Sequence, residues 1–325
     1  MSDPARPAVT VITPAYNAAA TIAETIESLR AQSLTDWEQI VCDDGSSDDT
    51  VAVVEAAAEP RVRLLRGEHR GQSAAQNRAF GQRRADLVLF LDADDMLAPR
   101  ALERLAGALA AAPGACAAYG DAVTVGEDGS AYGEPPLPSG VLSPRPSGDV
   151  LEVLLGDNFV PSGGILVRAA AFTAAGGFAE DLRIGQDWEM WCRLALQGDF
   201  VFLGPGAVLR HRARAGSLSR GAGAEVERHF EAIERVFADP AVAARLTPAR
   251  LAAPTPSSVP RICGDATSLR RAGTCGGRWP WATGARRWRR WRCARRCAGS
   301  RVRHGGSSRS RESRLKSVRR RVMAT

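Results

Sequence analysis

From residue 9 to residue 111 the chain repeats one pattern: a short apolar run, a polar break, then a stretch whose apolar positions fall three and four apart. Runs of the first kind read as strands and stretches of the last kind as helices. Val9 to Thr13 is a β-branched strand ended by Pro14. Positions 18 to 32 follow with Ile22, Ile26 and Leu29 on one helical face, and Thr21 with Glu24 has capping-box spacing. Trp37 to Cys42 is the second strand, DDGSSDDT at 43 to 50 a polar turn, and Val51 to Ala58 a helix stopped by Pro60. Val62 to Leu65, then Ser73 to Arg83, then Leu87 to Leu91, then Pro99 to Ala111 continue the alternation. Four strand–helix units of this length predict right-handed crossovers and a mostly parallel sheet in an α/β fold.

After Pro113 the pattern changes. Cys116 to Val125 reads as a strand, residues 127 to 130 as a hairpin turn, and Pro135 to Pro146, with five prolines, as a long loop. Asp149 to Leu155 is a short helix and Gly163 to Arg168 another strand. Ala169 to Ala175 is a helix ended by Gly176-Gly177, and Asp187 to Gln197 a stronger helix. Asp199 to Leu203 and Ala207 to His211 supply two late strands, and Glu225 to Ala238 a closing helix.

Chemistry gathers where the early strands end, the side on which parallel α/β sheets bind ligands. Strand one leads into Pro14-Ala15-Tyr16-Asn17, strand two into Asp43-Asp44-Gly45-Ser46, and strand four, in LVLFLDADD, into Asp92-Ala93-Asp94-Asp95. Tyr16 suits stacking on a base, Asp43 or Asp44 suits base N–H groups or ribose hydroxyls, and Asp92 with Asp94 suits a divalent ion. Carboxylate oxygens are hard ligands fit for Mg²⁺ or Mn²⁺, which commonly hold a substrate's phosphates as well. Each cluster has a plainer reading as a turn or a helix cap. An EF-hand starting at Asp92 is excluded, because Met96 and Leu97 stand where that loop needs a ligand and a glycine.

Charge separates the chain into two parts. Of 43 Lys+Arg, 20 lie in residues 254–325 with only Asp265 and Glu312 against them, a net of about +18, which leaves the first 253 residues at −11. The basic balance therefore belongs to the tail and nucleic acid is not an expected partner of the body. The tail holds 19 Arg, four Trp and four Cys without apolar periodicity, and the sole lysine of the chain is Lys316. Such composition predicts disorder, and out-of-frame translation of a GC-rich coding sequence accounts for its abrupt onset. The competing readings are Arg–Trp contacts to nucleic acid or to an anionic membrane surface. A zinc site built on Cys293, Cys297 and His304 lacks paired spacing in Cys263 and Cys275. The body's three cysteines, Cys42, Cys116 and Cys192, read as reduced buried thiols. No secretory signal or apolar span is recognised, so the expectation is a cytoplasmic protein that can work at the inner face of a membrane.

The ordered set VTVITPAYNAA (9 to 19), WEQIVCDDGSSDDT (37 to 50), GQSAAQNRAF (71 to 80), ADLVLFLDADD (85 to 95) and FVPSGGILVRAAAFTAAGGFAEDLRIGQDWEMWCRLA (159 to 195) resembles family 2 glycosyltransferases over about residues 8 to 220. The resemblance implies the GT-A fold, a Rossmann-like three-layer sandwich, over residues 1 to 253. It implies an NDP-sugar donor with a uridine or thymidine base, a divalent cation (Mn or Mg), and inverting transfer to a saccharide or lipid-linked acceptor at a membrane face. By the same resemblance Pro14, Ala15, Tyr16, Asp43, Asp44, Asp92 and Ala93 hold the nucleotide sugar, Asp92 and Asp94 form the DxD pair, and Asp187 is the catalytic base. An acid at that helix start also suits the helix dipole, and Glu189 is a lesser candidate. Gln186 stands where the family more often has Glu. The segment HRARAGSLSR (211 to 220) departs from the family's histidine-bearing form: gapless matching puts Arg214 at that histidine, and His211 becomes a metal ligand only with a register slip. The alternative function is an inactive transferase-like domain whose tail binds nucleic acid or anionic membrane.

Overall fold

In the computed structural model, residues 6–130, 145–213 and 224–245 are described. The sheet begins as the periodicity predicts. Strands β1 (Val9–Ala15), β2 (Trp37–Asp43), β3 (Val62–Arg66) and β4 (Leu87–Phe90) alternate with helices α1 (Ile22–Arg30), α2 (Thr50–Ala56) and α3 (Gln72–Phe80). β1 pairs in parallel with β2 and β4, and β2 with β3. Then follow β5 (Met96–Leu97), α4 (Ala101–Ala111), β6 (Ala115–Val125), α5 (Leu151–Leu154), β7 (Ile165–Arg168), α6 (Ala169–Ala174), α7 (Gln186–Leu194), β8 (Asp199–Arg212), α8 (Ala224–Ala238) and α9 (Pro240–Arg245).

The strand order is β3-β2-β1-β4-β7-β6-β8-β5. β7 runs against both β4 and β6, and β5 against β8, so the other six strands share one direction. Alternate residues of the central strands feed two cores. Ile12, Ile40, Val88 and Phe90 join Phe172, Trp188 and Trp191 on one face. Val9, Val11, Leu89 and Leu91 join Leu102, Leu105 and Leu109 of α4 on the other, while Ile22, Ile26, Val41 and Val54 pack α1 and α2 beside them. Burial on both faces is why these strands read as continuous apolar runs. The result is a three-layer α/β sandwich.

Three local expectations are corrected. The two late strands are one: β8 continues through Gly204-Pro205-Gly206, and its register against β6 jumps from Tyr119↔Phe202 to Asp121↔Ala207, a bulge carried by two glycines at positive φ. Residues 127–130 do turn, with Gly126 N–H donating to Ser130 O at 2.8 Å, and the strand that would complete a hairpin there lies outside the described residues. Thr21 makes no capping bond, because its hydroxyl donates to Ala93 O at 2.9 Å. The α4 helix begins after Arg100, whose φ of 64° ends the turn that Pro99 opens. Gly120 is required by packing, since a Cβ there would lie 2.7 Å from Val208 Cγ1. Cys42, Cys116 and Cys192 are buried and free. Among the described residues no helix is long and apolar enough to cross a membrane. The tail, and the disorder expected of it, lie outside the described residues.

Candidate functional site

The acidic loop 92–95 is held from behind by its backbone. Thr21 and Thr25 hydroxyls donate to Ala93 O, Thr25 also donates to Asp95 O at 2.8 Å, and Arg212 Nε donates to Asp94 O at 3.0 Å. Arg212 is buried, and it is further tied to Glu24 and Glu127 O. Carbonyls spent on α1 and β8 fix the loop while leaving its carboxylates for the cleft.

Those carboxylates repel one another. Burial pushes Asp92 well above the usual carboxylate range, and the Asp95, Asp94 and Asp187 charges push it further, with His211 opposing. Gln72, at the start of α3, donates Nε2 to Asp92 Oδ1 at 2.8 Å. Asp95 accepts from Arg212 N and faces His211, whose Nδ1 lies 3.1 Å from both Asp95 oxygens. That hydrogen bond, with the Asp95, Asp92 and Asp94 charges, raises His211 to about 9. Nδ1 is therefore the ring nitrogen that Asp95 holds, and the charge on His211 partly offsets the carboxylates around it.

Asp187 lies in the first turn of α7, entered through Gly185 at φ 75°. Asn158 Nδ2 donates to Asp187 Oδ2 at 3.3 Å, and neighbouring Phe159 O is gripped by Arg145, itself paired with Asp121. Gln186 Nε2 donates to Gln72 Oε1 at 3.3 Å, so two amides bridge Asp92 to the turn that carries Asp187. Glu189 has no part in the cleft. It is buried in a bidentate pair with Arg193, which also holds Gly177 O and Ala175 O.

The second corner lies at the ends of β1 and β2. Pro14 and Ala15 are buried in β1 opposite Cys42 and Asp43. Ala93 is buried with Ala15 in the α1 core, so these alanines can offer a ligand only backbone. Tyr16 is 49% exposed and stacks on His69 with ring centroids 4.2 Å apart. Asn17 is a turn residue at φ 50°, stapled to Ser46 and Ser47. Asp43 accepts long bonds from Ser46 N at 3.3 and 3.4 Å, whereas Asp44 accepts from Arg70 N, Gly71 N and His69 Nδ1 within 3.0 Å.

The sequence-predicted residues thus form two neighbouring groups, one aromatic and acidic and one purely acidic with His211. Arg214 lies outside the described residues. His69, Asn158 and the Gln72–Gln186 bridge were not singled out from sequence as site residues, although Gln72 sits inside one of the recognised stretches. Among the described residues no three His, Cys, Asp or Glu side chains close into a metal cage. The donor set instead fits a cation held by one or two carboxylates and completed by substrate phosphates, the usual manner of Mg²⁺.

Comparison with known proteins agrees with this architecture. The model of Glycosyl transferase family 2 matches residues 10–144. The chain is 30% identical over 229 residues to the uncharacterized protein MT1568 of Mycobacterium tuberculosis, covering 67% of this chain and 71% of that one. It is 34% identical over 220 residues to the succinoglycan biosynthesis protein ExoO of Rhizobium meliloti, covering 66% and 63%. The mannosyltransferase PcManGT from Pyrobaculum calidifontis, solved with GDP-Man and Mn2+, superposes with a TM-score of 0.51 at 22% identity, over 88% of this chain and 83% of that one. The chain belongs to glycosyl transferase family 2, and its fold is GT-A. Other relatives are longer, and the chain spans only 14% and 20% of two of them.

Proposed function

We propose that this protein is an inverting glycosyltransferase, its catalytic domain within residues 1–253, that moves a sugar from a nucleoside-diphosphate sugar to a hydroxyl of a saccharide or lipid-linked acceptor. Uridine or thymidine as the base follows from the family resemblance. The observation that carries the reading is the gathering of Asp92, Asp94, Asp95, His211 and Asp187 within electrostatic reach of one another. Mutual repulsion of that kind is relieved by a cation, and perturbed carboxylates in a cleft mark functional sites.

Asp92 and Asp94 would hold a divalent ion whose remaining positions substrate phosphates complete, with His211 beside them on Asp95. When bound, that ion supplies positive charge against the departing diphosphate. Asp187 takes the proton of the acceptor hydroxyl as its oxygen attacks the anomeric carbon. The bond from that carbon to the diphosphate oxygen breaks, its electron pair leaves with the diphosphate, and attack from the opposite face inverts the configuration. Asn158 orients Asp187 for that transfer, and Gln72 keeps Asp92 in place. Tyr16, Asp43 and Asp44, with the backbone of Pro14, Ala15 and Ala93, form the nucleotide end. Work at the cytoplasmic face of a membrane, in polysaccharide or glycolipid assembly, is consistent with the family.

The test is donor hydrolysis and transfer by the full chain across a panel of NDP-sugars with Mn²⁺. Turnover is expected for at least one donor, falling by about 100-fold or more in Asp94→Ala and in Asp187→Ala. Absence of turnover with every donor, or wild-type rates in both variants, refutes the reading.

A further inference from the structure

Asn158, whose side-chain amide donates to Asp187 Oδ2 at 3.3 Å, stands on a stretch, residues 155–161, that is neither helix nor strand. Such a stretch is placed by the contacts that its backbone groups receive. Two buried side chains grip it toward either end. Trp188, next to Asp187 on α7, donates Nε1 to Leu154 O at 2.6 Å and so ties the end of α5 to the helix of the base. Arg145 donates Nη1 to Phe159 O at 2.8 Å, on the residue that follows Asn158.

Arg145 is itself built into the sheet. Its side chain is only 5% exposed, and its Nε donates to Asp121 Oδ1 of β6 at 3.0 Å. The backbone that follows it is bolted to the same sheet. Tyr119 OH donates to Pro146 O at 2.6 Å, Phe202 N donates to Ser147 Oγ at 2.9 Å, and Gly148 exchanges both backbone bonds with Phe200. For stability alone, a well-packed apolar side chain serves such a place about as well as a buried ion pair. What the planar guanidinium adds is direction, because its fork addresses a carboxylate and a carbonyl at set angles.

We infer that Arg145, backed by Asp121, is a positioning residue for Asp187: by holding the Phe159 carbonyl it keeps the Asn158 amide on the carboxylate that takes the acceptor's proton. The bond from Asn158 to Asp187 is long, so it is the first to open when residues 155–161 drift. Loss of Arg145 therefore acts on turnover, while the donor end at β1, β2 and β4 keeps its own supports. This assignment rests on the reading of Asp187 as the base.

Steady-state kinetics on the full chain test it, with Mn²⁺ and the NDP-sugar that the wild type turns over, kcat and donor KM being read separately. Arg145→Met fills the same space without donors and is expected to lower kcat about tenfold or more, with donor KM within about twofold of wild type. Asn158→Ala is expected to lower kcat as well. Adding Arg145→Met to Asn158→Ala should then cost no more than about a further threefold, because both changes break one chain of contacts. Losses that multiply would show a general packing role and overturn the inference, as would a raised KM with kcat unchanged. Asp121→Asn, a milder change at the more exposed end of the pair, should show the same split at about threefold in kcat, and it decides the matter if Arg145→Met does not fold. Wild-type kcat in Arg145→Met beside an inactive Asp187→Ala would overturn this inference alone. Wild-type turnover in Asp187→Ala would overturn the reading of the base, and this inference with it.

Discussion

Asp92→Asn separates stability from function with opposite signs. In the cation-free protein Asp92 is pushed up by burial and by the Asp95 and Asp94 charges, so the folded state holds a proton that the unfolded chain has released. Stability is then lost as pH rises from the ordinary carboxylate value toward the raised one. Each pH unit in that window costs about 1.4 kcal/mol. Three units, from pH 4 to pH 7, set a ceiling of roughly 4 kcal/mol, and water in a half-open cleft reduces it to about 2 kcal/mol. Asn carries no such penalty, and its Oδ1 can still accept from Gln72 Nε2. Urea denaturation in EDTA between pH 5 and pH 8 should find Asp92→Asn more stable than wild type, with a margin that widens as pH rises. The same variant should lose the thermal stabilisation that Mn²⁺ gives the wild type. Parallel stability curves across that range, or an undiminished Mn²⁺ shift in the variant, would refute the electrostatic account of the cleft.

Cation affinity should itself depend on pH. Asp92 must give up its proton for a cation to bind, and the positive charge of His211, raised to about 9, opposes that cation, so Mn²⁺ affinity measured by calorimetry should rise at least tenfold from pH 6 to pH 8. A flat profile would contradict the assignment of Asp92 as a ligand. Glu189→Gln strips Arg193 of its charged partner and should cost about 3 to 5 kcal/mol in urea denaturation, whereas Asp187→Asn should stay within about 1 kcal/mol of wild type. Equal stability of the two variants would erase that division of roles. Gly120→Ala drives a methyl against both Val208 methyls, at 2.7 and 2.8 Å, and should cost about 1 to 3 kcal/mol, read as a lower Tm.

What the sequence determined by itself was the half of the protein whose signals are local. The runs at Val9, Trp37, Val62 and Leu87 became β1 to β4 because apolar periodicity and turn chemistry are written in neighbouring residues. LVLFLDADD announced the acidic cleft for the same reason, and GQDWEMW marked Asp187 at a helix start. Tertiary structure decided whatever depends on partners far apart in the chain. The reversed β7 between β4 and β6, and the single bulged β8, follow from register across the sheet, which no local pattern encodes. His211 reads as a strand-end histidine until β8 brings it to Asp95, 116 positions away. Thr21 and Glu189, spaced for a cap and for catalysis, went instead to a loop carbonyl and a buried arginine pair. Tyr16 could be read as an aromatic at a strand end, but its stack on His69 required the ends of β1 and β3 to meet through Asp44. A residue's type fixes the chemistry it can offer, and the sheet order fixes which other residue receives it.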